Sequence, residues 1–344
     1  MPAKLAKKAS TKSVKLVNKK PFTKDQLLDV YSQMSLLRRF EEKAATMYQQ
    51  GKIGGFCHLY IGQEAVITGI KAASNPDDDQ ITSYRCHAHA IACGVEPESV
   101  MAELMGKETG ISKGKGGSMH MFDPEKHFWG GHGIVSAQVP LGAGLAFAAK
   151  YRGEDRVSFA YIGDGAMNGG QVYETMNMAA LWDLPVIFVV ENNQYAMGTS
   201  TKRGAAGEFY KRGEPFGIPG KRVDGMDFFE VHAATTEAVK YVRSGKGPYL
   251  LEMDTYRYRG HSMSDPAKYR TREEVDCVKK DRDPIEALGE VLMSEYNVKE
   301  ADLKALDKAS KETVNTATEN AINASEPDAR EMWTDVLPEN GGQD

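Results

Sequence analysis

The sequence predicts an α/β fold: a mostly parallel sheet flanked by helices, with a helical carboxy-terminal segment. Three observations carry this. "RVSFAYIG" (156–163) and "LPVIFVVENN" (184–193) are apolar almost throughout, as strands buried on both faces are. Between them, "GGQVYETMNMAALWD" puts Val172, Met176, Ala179 and Ala180 on one helical face. A strand–helix–strand rhythm of this kind belongs to a parallel sheet covered by helices.

The elements follow in chain order. Residues 1–22 hold seven lysines and no acid, with too few apolar residues to fold alone, and read as a basic disordered tail. It lacks the arginines of a transit peptide and the apolar core of a secretory signal. Thr23 and Gln26 fit a capping box for a helix that runs to about Gln50 and is stopped by Gly51. Within the Gly- and His-rich stretch 51–135, "QITSYR" reads as a short strand and "KGKGGSMHMF" as a loop. "VPLGAGLAFAAKY" (139–151) is a helix whose small residues allow close packing, and "GPYLLEMDTYRY" (247–258) supplies another strand. Beyond Asp283 the chain turns helical, with Leu303, Leu306, Val314, Ala317 and Ala321 on one face. No repeat or linker interrupts 23–344, which reads as one domain with 284–344 as a helical extension.

Composition narrows the function. The chain has 344 residues, 41% hydrophobic and 26% charged, enough for a sizeable core. Its net charge is −5, and the tail's lysines leave the remainder strongly acidic, which argues against a nucleic-acid-binding body. No apolar run is long enough for a membrane span. Four cysteines do not make a disulfide scaffold and point to reduced, cytosolic thiols; the expected location is a cytoplasm of bacterial type, or the mitochondrial matrix in a eukaryote.

The chemistry gathers around "YIGDGAMNGG" (161–170). In a right-handed βαβ unit, Asp164 and Asn193 end neighbouring strands on the same sheet edge, although 28 residues lie between them. Open α/β sheets bind ligands at that edge. A dinucleotide fingerprint needs a third glycine where Asn168 stands, and its ribose acid lies elsewhere than Glu191. A phosphate-binding Walker loop needs GK[ST], which is missing. A purely structural turn explains the glycines but not a carboxylate and two amides at one edge. A hard-cation site holding a diphosphate remains: carboxylate and amide oxygens suit magnesium, and a helix N-terminus favours the anion. Cys86, His87, His89 and Cys93 resemble a zinc cluster, but their spacing fits no common site.

GDG, 26 residues, then NN resembles the signature of thiamine diphosphate enzymes. "GFCHLYIGQEA", "ITSYRCHAHA", "KGKGGSMHMF", "GIVSAQVPLGAG", "RVDGMD" and "YRYRGHSMSDPAKYRTREE" widen the likeness over residues 25–290. Together they resemble the alpha subunit of two-chain pyruvate dehydrogenase components, in the thiamine diphosphate-dependent 2-oxo acid dehydrogenase family. The resemblance implies the thiamine diphosphate-binding fold, as its diphosphate-binding domain. It implies oxidative decarboxylation of pyruvate, with the acetyl group passed to a lipoyl domain of dihydrolipoyl acetyltransferase. Branched-chain 2-oxo acid and acetoin dehydrogenase alpha subunits share the magnesium motif and are the nearest alternatives.

Residue by residue, the resemblance implies Mg2+ held by Asp164, Asn193 and the Tyr195 carbonyl. Gly165 and Ala166 match backbone contacts to the diphosphate, and Tyr84 and Arg85 match residues that reach the cofactor. Gly133 and Val135 match positions lining its two rings. His261 and His58 match catalytic histidines, His261 also binding the diphosphate. The glutamate that activates the cofactor belongs to a beta subunit in the family, so an α2β2 heterotetramer is expected, with Glu64 as the fallback in a self-sufficient chain. Ser262 matches a serine that kinases modify in animal enzymes.

Overall fold

A computed structural model describes residues 22–336; the tail expected over 1–22 lies outside it apart from Phe22, whose ring packs 5.3 Å from Phe228. The elements are α1 (Lys24–Gln49), α2 (Glu64–Ala73), β1 (Asp79–Ser83), α3 (His87–Ala92), α4 (Pro97–Leu104), β2 (Phe128–His132), α5 (Gln138–Arg152) and β3 (Ser158–Gly163). Then come α6 (Gly170–Leu181), β4 (Val186–Asn192), a hairpin of β5 (Tyr195–Ala196) and β6 (Thr199–Ser200), α7 (Thr201–Gly204), β7 (Gly220–Asp224), α8 (Phe228–Arg243) and β8 (Tyr249–Asp254). Helices α9 (Arg272–Arg282), α10 (Pro284–Tyr296) and α11 (Glu300–Asn323) close the chain.

Six strands form one parallel sheet in the order β2-β1-β3-β4-β8-β7. The apolar runs now have a reason. Phe159, Tyr161, Ile187, Val189, Leu251 and Met253 face one core, with Ala234 and Ala238 of α8. Their neighbours Ala160, Ile162, Val186, Phe188, Val190 and Leu250 face the other, under Val139, Ala146, Val172 and Met176 of α5 and α6. Alternate side chains leave a strand on opposite faces, so a doubly covered strand has no polar face to show. α5 lies close because a Cβ on Gly142 would stand 2.8 Å from that of Ala160.

Thr23 and Gln26 make the expected capping box, each side chain accepting from the other's backbone N–H at 3.3 and 2.8 Å. The carboxy-terminal helices share a core with α1 through Leu27, Met34, Ile285, Leu292 and Leu303. Several elements differ from the sequence reading. The strand in "QITSYR" stops at Ser83, leaving Tyr84 and Arg85 in the loop beyond it. Helices α2, α3 and α4 occupy a stretch that reads as rich in Gly, His and turn signals; all six residues of α3 are buried, so it has no polar face to mark it. Strand β7 and helix α8 were likewise unmarked.

Candidate cofactor site

The strand order reverses at β1: the chain places β2 on one side of it and β3 on the other. The crevice at such a switch point lies outside the carboxyl ends of the strands. There the ends of β1, β3 and β4 bring Tyr84, Arg85, Gly163–Ala166, Glu191 and Asn193 around a cavity of about 270 Å³. Val135, Tyr195, Arg257 and His261 complete its wall.

Asp164 follows the last residue of β3 and is 4% exposed. Burial pushes its carboxyl up to about 6, although the Arg257 and Arg85 cations oppose the rise. Asn193 Oδ1 and the Tyr195 carbonyl accept hydrogen bonds from one nitrogen of Arg257, at 3.1 and 2.9 Å. Two of the three expected metal-ligand oxygens thus converge on a positive charge that the chain itself supplies. The amide of Asn193 is oriented by Gln63, whose Oε1 accepts from Nδ2 at 3.2 Å.

Arg85 donates to the carbonyls of Leu59 and, at 2.9 Å, His261. Burial and the like charge of Arg257 lower it to about 10, so it stays cationic at neutral pH. The Tyr84 hydroxyl lies 3.5 Å from His261 Nε2, and its ring centroid 4.5 Å from that of His58. The rings of His58 and His261 meet edge-on at 5.2 Å. Burial first, then the Arg85 cation, pulls His58 down to about 2 and His261 to about 3. Both are neutral at pH 7. His261 is carried by a braced loop: its N–H donates to Asp265 at 2.6 Å, and Asp265 also accepts from Ala267 N–H and the Tyr269 hydroxyl.

Four features singled out from the sequence gain a structural context. Gly165 makes room for the hairpin: a Cβ there would stand 2.5 Å from Ala196 Cβ, whereas one on Gly163 would meet open space. Gly133 does not line the cavity, and its Cβ would face the His120 ring at 3.2 Å; Val135, two residues on, does line it. Glu64 cannot serve as a free base, because Arg38 pairs with its carboxylate and the Gly62 N–H donates to it. The zinc-like set does not assemble: among the described residues no three His, Cys, Asp or Glu side chains form a metal group, and all four cysteines are free.

The residues suit a magnesium diphosphate. The convergent oxygens are hard ligands. Buried Nδ1 of His58, Nδ1 of His261 and Oε1 of Gln138 have no partner in the chain, as expected of groups that await a polar ligand. Arg257, Gln63 and Gln138 were not singled out from the sequence. The available signal for Arg257 was an arginine at the end of an apolar strand, where only a paired charge is tolerated.

A sequence profile described as dehydrogenase E1 component matches residues 32–330. The chain belongs to that family. Among its relatives, the pyruvate dehydrogenase E1 component subunit alpha of Rhizobium meliloti is 58% identical over 92% of this chain and 91% of its own length. The protein of the same name from Zymomonas mobilis is 56% identical over 91% of this chain and 89% of its own. The mitochondrial one from Dictyostelium discoideum is 51% identical, over 91% and 82%. Membership of the dehydrogenase E1 family implies thiamine diphosphate as the cofactor of this chain.

Proposed function

We propose that this chain is the alpha subunit of a pyruvate dehydrogenase E1 component. It works with thiamine diphosphate and Mg2+ in an α2β2 assembly. It decarboxylates pyruvate and passes the acetyl group to a lipoyl domain of dihydrolipoyl acetyltransferase. The observation that carries the reading is the crevice in which Asn193 Oδ1 and the Tyr195 carbonyl already receive a cation beside the buried Asp164. The relatives' shared name supports pyruvate as the substrate. The four free cysteines support a cytoplasmic location.

Asp164, Asn193 and the Tyr195 carbonyl would hold the metal. Arg85, Arg257 and His261 would face the diphosphate, where guanidinium groups give charge-assisted hydrogen bonds. Bound thiamine diphosphate supplies a nucleophilic carbon and an electron sink for 2-oxo acid decarboxylation. His58 and His261, neutral in a water-poor site, are placed to take or give a proton at an imidazole nitrogen as charge develops. With a metal on Asn193 and the Tyr195 carbonyl, the Arg257 nitrogen that now occupies those oxygens would be free to face the anion.

Two glutamates near the crevice are committed within the chain: Glu64 to Arg38, Glu191 to the Tyr60 hydroxyl. This supports an activating glutamate from the beta subunit. The test is co-expression with that subunit, followed by rates with pyruvate, 2-oxoisovalerate and acetoin and a lipoyl domain as acceptor. Pyruvate should be preferred at least tenfold, and the chain alone should be inactive. Full activity without a partner, or a preference for either other substrate, would overturn the reading.

A further inference from the structure

We propose that Glu41, His87 and Ser118 form a buried hydrogen-bonded chain that positions His58 for reaction. The inference rests on the proposed role of His58. Ser118 Oγ lies 2.8 Å from His87 Nε2, and His87 Nδ1 lies 3.0 Å from Glu41 Oε2. This has the composition of a hydrolytic triad. All three residues are 4% exposed or less, so the hydroxyl has no access to a substrate.

The chain acts instead on the backbone. Residues 57–61 run outside any strand and would leave their backbone groups without a ladder. Side chains and loops supply the partners. His58 N–H donates to Ser118 Oγ at 3.4 Å, and Tyr60 N–H donates to Glu41 Oε1 at 3.0 Å. On the carbonyl side, Met263 N–H donates to Cys57, Arg85 to Leu59 and Tyr258 N–H to Ile61. The two ends of the Glu41–His87–Ser118 chain thus grip alternate N–H groups on either side of Leu59. The first of these belongs to the residue whose ring meets Tyr84 and His261.

One donor order satisfies every group. With Glu41 accepting on both oxygens, His87 Nδ1 donates to it. The neutral ring then accepts at Nε2, and Ser118 Oγ–H donates there. The hydroxyl oxygen is left with a lone pair for the His58 N–H. The elements joined are distant in sequence: α1 gives Glu41, α3 gives His87 and the glycine-rich loop gives Ser118. That loop is itself shaped by a buried carboxylate, Glu103, which accepts from the N–H groups of Ser112, Gly114, Gly116 and Gly117 at 2.7–2.9 Å.

The test uses the chain assembled with its partner subunit and saturating thiamine diphosphate and Mg2+. Ser118→Ala should lower kcat roughly tenfold or more, the scale on which misplaced groups act, with KM for pyruvate unchanged. Ser118→Thr, which keeps the hydroxyl, should restore most of it. In a His58→Ala background, Ser118→Ala should have no further effect on kcat, because coupled residues are not additive. Hydrogen exchange of the 58–60 amides, read without cofactor, should quicken in Ser118→Ala. If Ser118→Ala does not fold, Glu41→Gln carries the same cycle. Equal kcat losses in the wild-type and His58→Ala backgrounds would overturn the positioning role. A wild-type rate for His58→Ala alone would instead sink the reading of His58.

Discussion

Replacing Asp164 with Asn should stabilise the cofactor-free protein while abolishing magnesium-dependent cofactor binding. Asp164 is 4% exposed, and its carboxyl is raised from 3.8 to about 6, mainly by desolvation. At about 1.4 kcal/mol per tenfold change in a proton equilibrium, that rise corresponds to roughly 3 kcal/mol held against folding when the group is charged. The sign follows from the direction. A raised folded pKa gives a contribution fully present below 3.8 and lost as pH rises through about 6. The neutral amide escapes this cost but gives up one hydrogen-bond acceptor, which costs about 1 kcal/mol. A net gain of roughly 2 kcal/mol is expected at pH 8, shrinking to roughly 0.5 kcal/mol at pH 5, where proton uptake on folding has relieved about half of the cost. Denaturant titrations of the metal-stripped wild type and variant at both pH values measure the gap. A gap that is absent at pH 8, or equal at both pH values, would refute the argument that Asp164 is kept destabilised for the sake of a cation.

Other outcomes follow from the same geometry. Gly165→Ala should lose cofactor binding by displacing the hairpin, and Ala196→Gly in the same chain should restore part of it; calorimetry with thiamine diphosphate and Mg2+ reads both. Glu103→Ala strips four N–H groups of their acceptor and should cost several kcal/mol at about 1 kcal/mol or more per unmade bond, seen as a lower denaturation midpoint. His261, lowered to about 3 by burial and Arg85, should stay neutral by NMR through pH 5 in the cofactor-free protein. Adding the diphosphate should then raise its pKa, since a nearby anion favours the imidazolium.

The parallel sheet was legible because a strand buried on both faces has little room for polar residues, and β3 from Phe159 to Ile162 and β4 from Val186 to Val190 are apolar throughout. The pairing of Asp164 with Asn193 was legible because a βαβ unit sends consecutive strands the same way. Helix α3 was not, since an element buried at all six of its positions carries no periodic signal. Nor was the reason for Gly165, which depends on a hairpin 31 residues further on.

By itself the sequence determined the fold class, the sheet edge that carries the chemistry, and the oxygen donors suited to a hard cation. These rest on local periodicity, strand direction and residue chemistry, all of which are written along the chain. The tertiary structure alone decided which charge each buried group faces. It placed Arg257 against Asn193 and Tyr195, committed Glu64 to Arg38, and joined Glu41, His87 and Ser118 behind His58. Those partners come from distant segments, and a buried polar group is defined by what closes over it rather than by its neighbours in sequence.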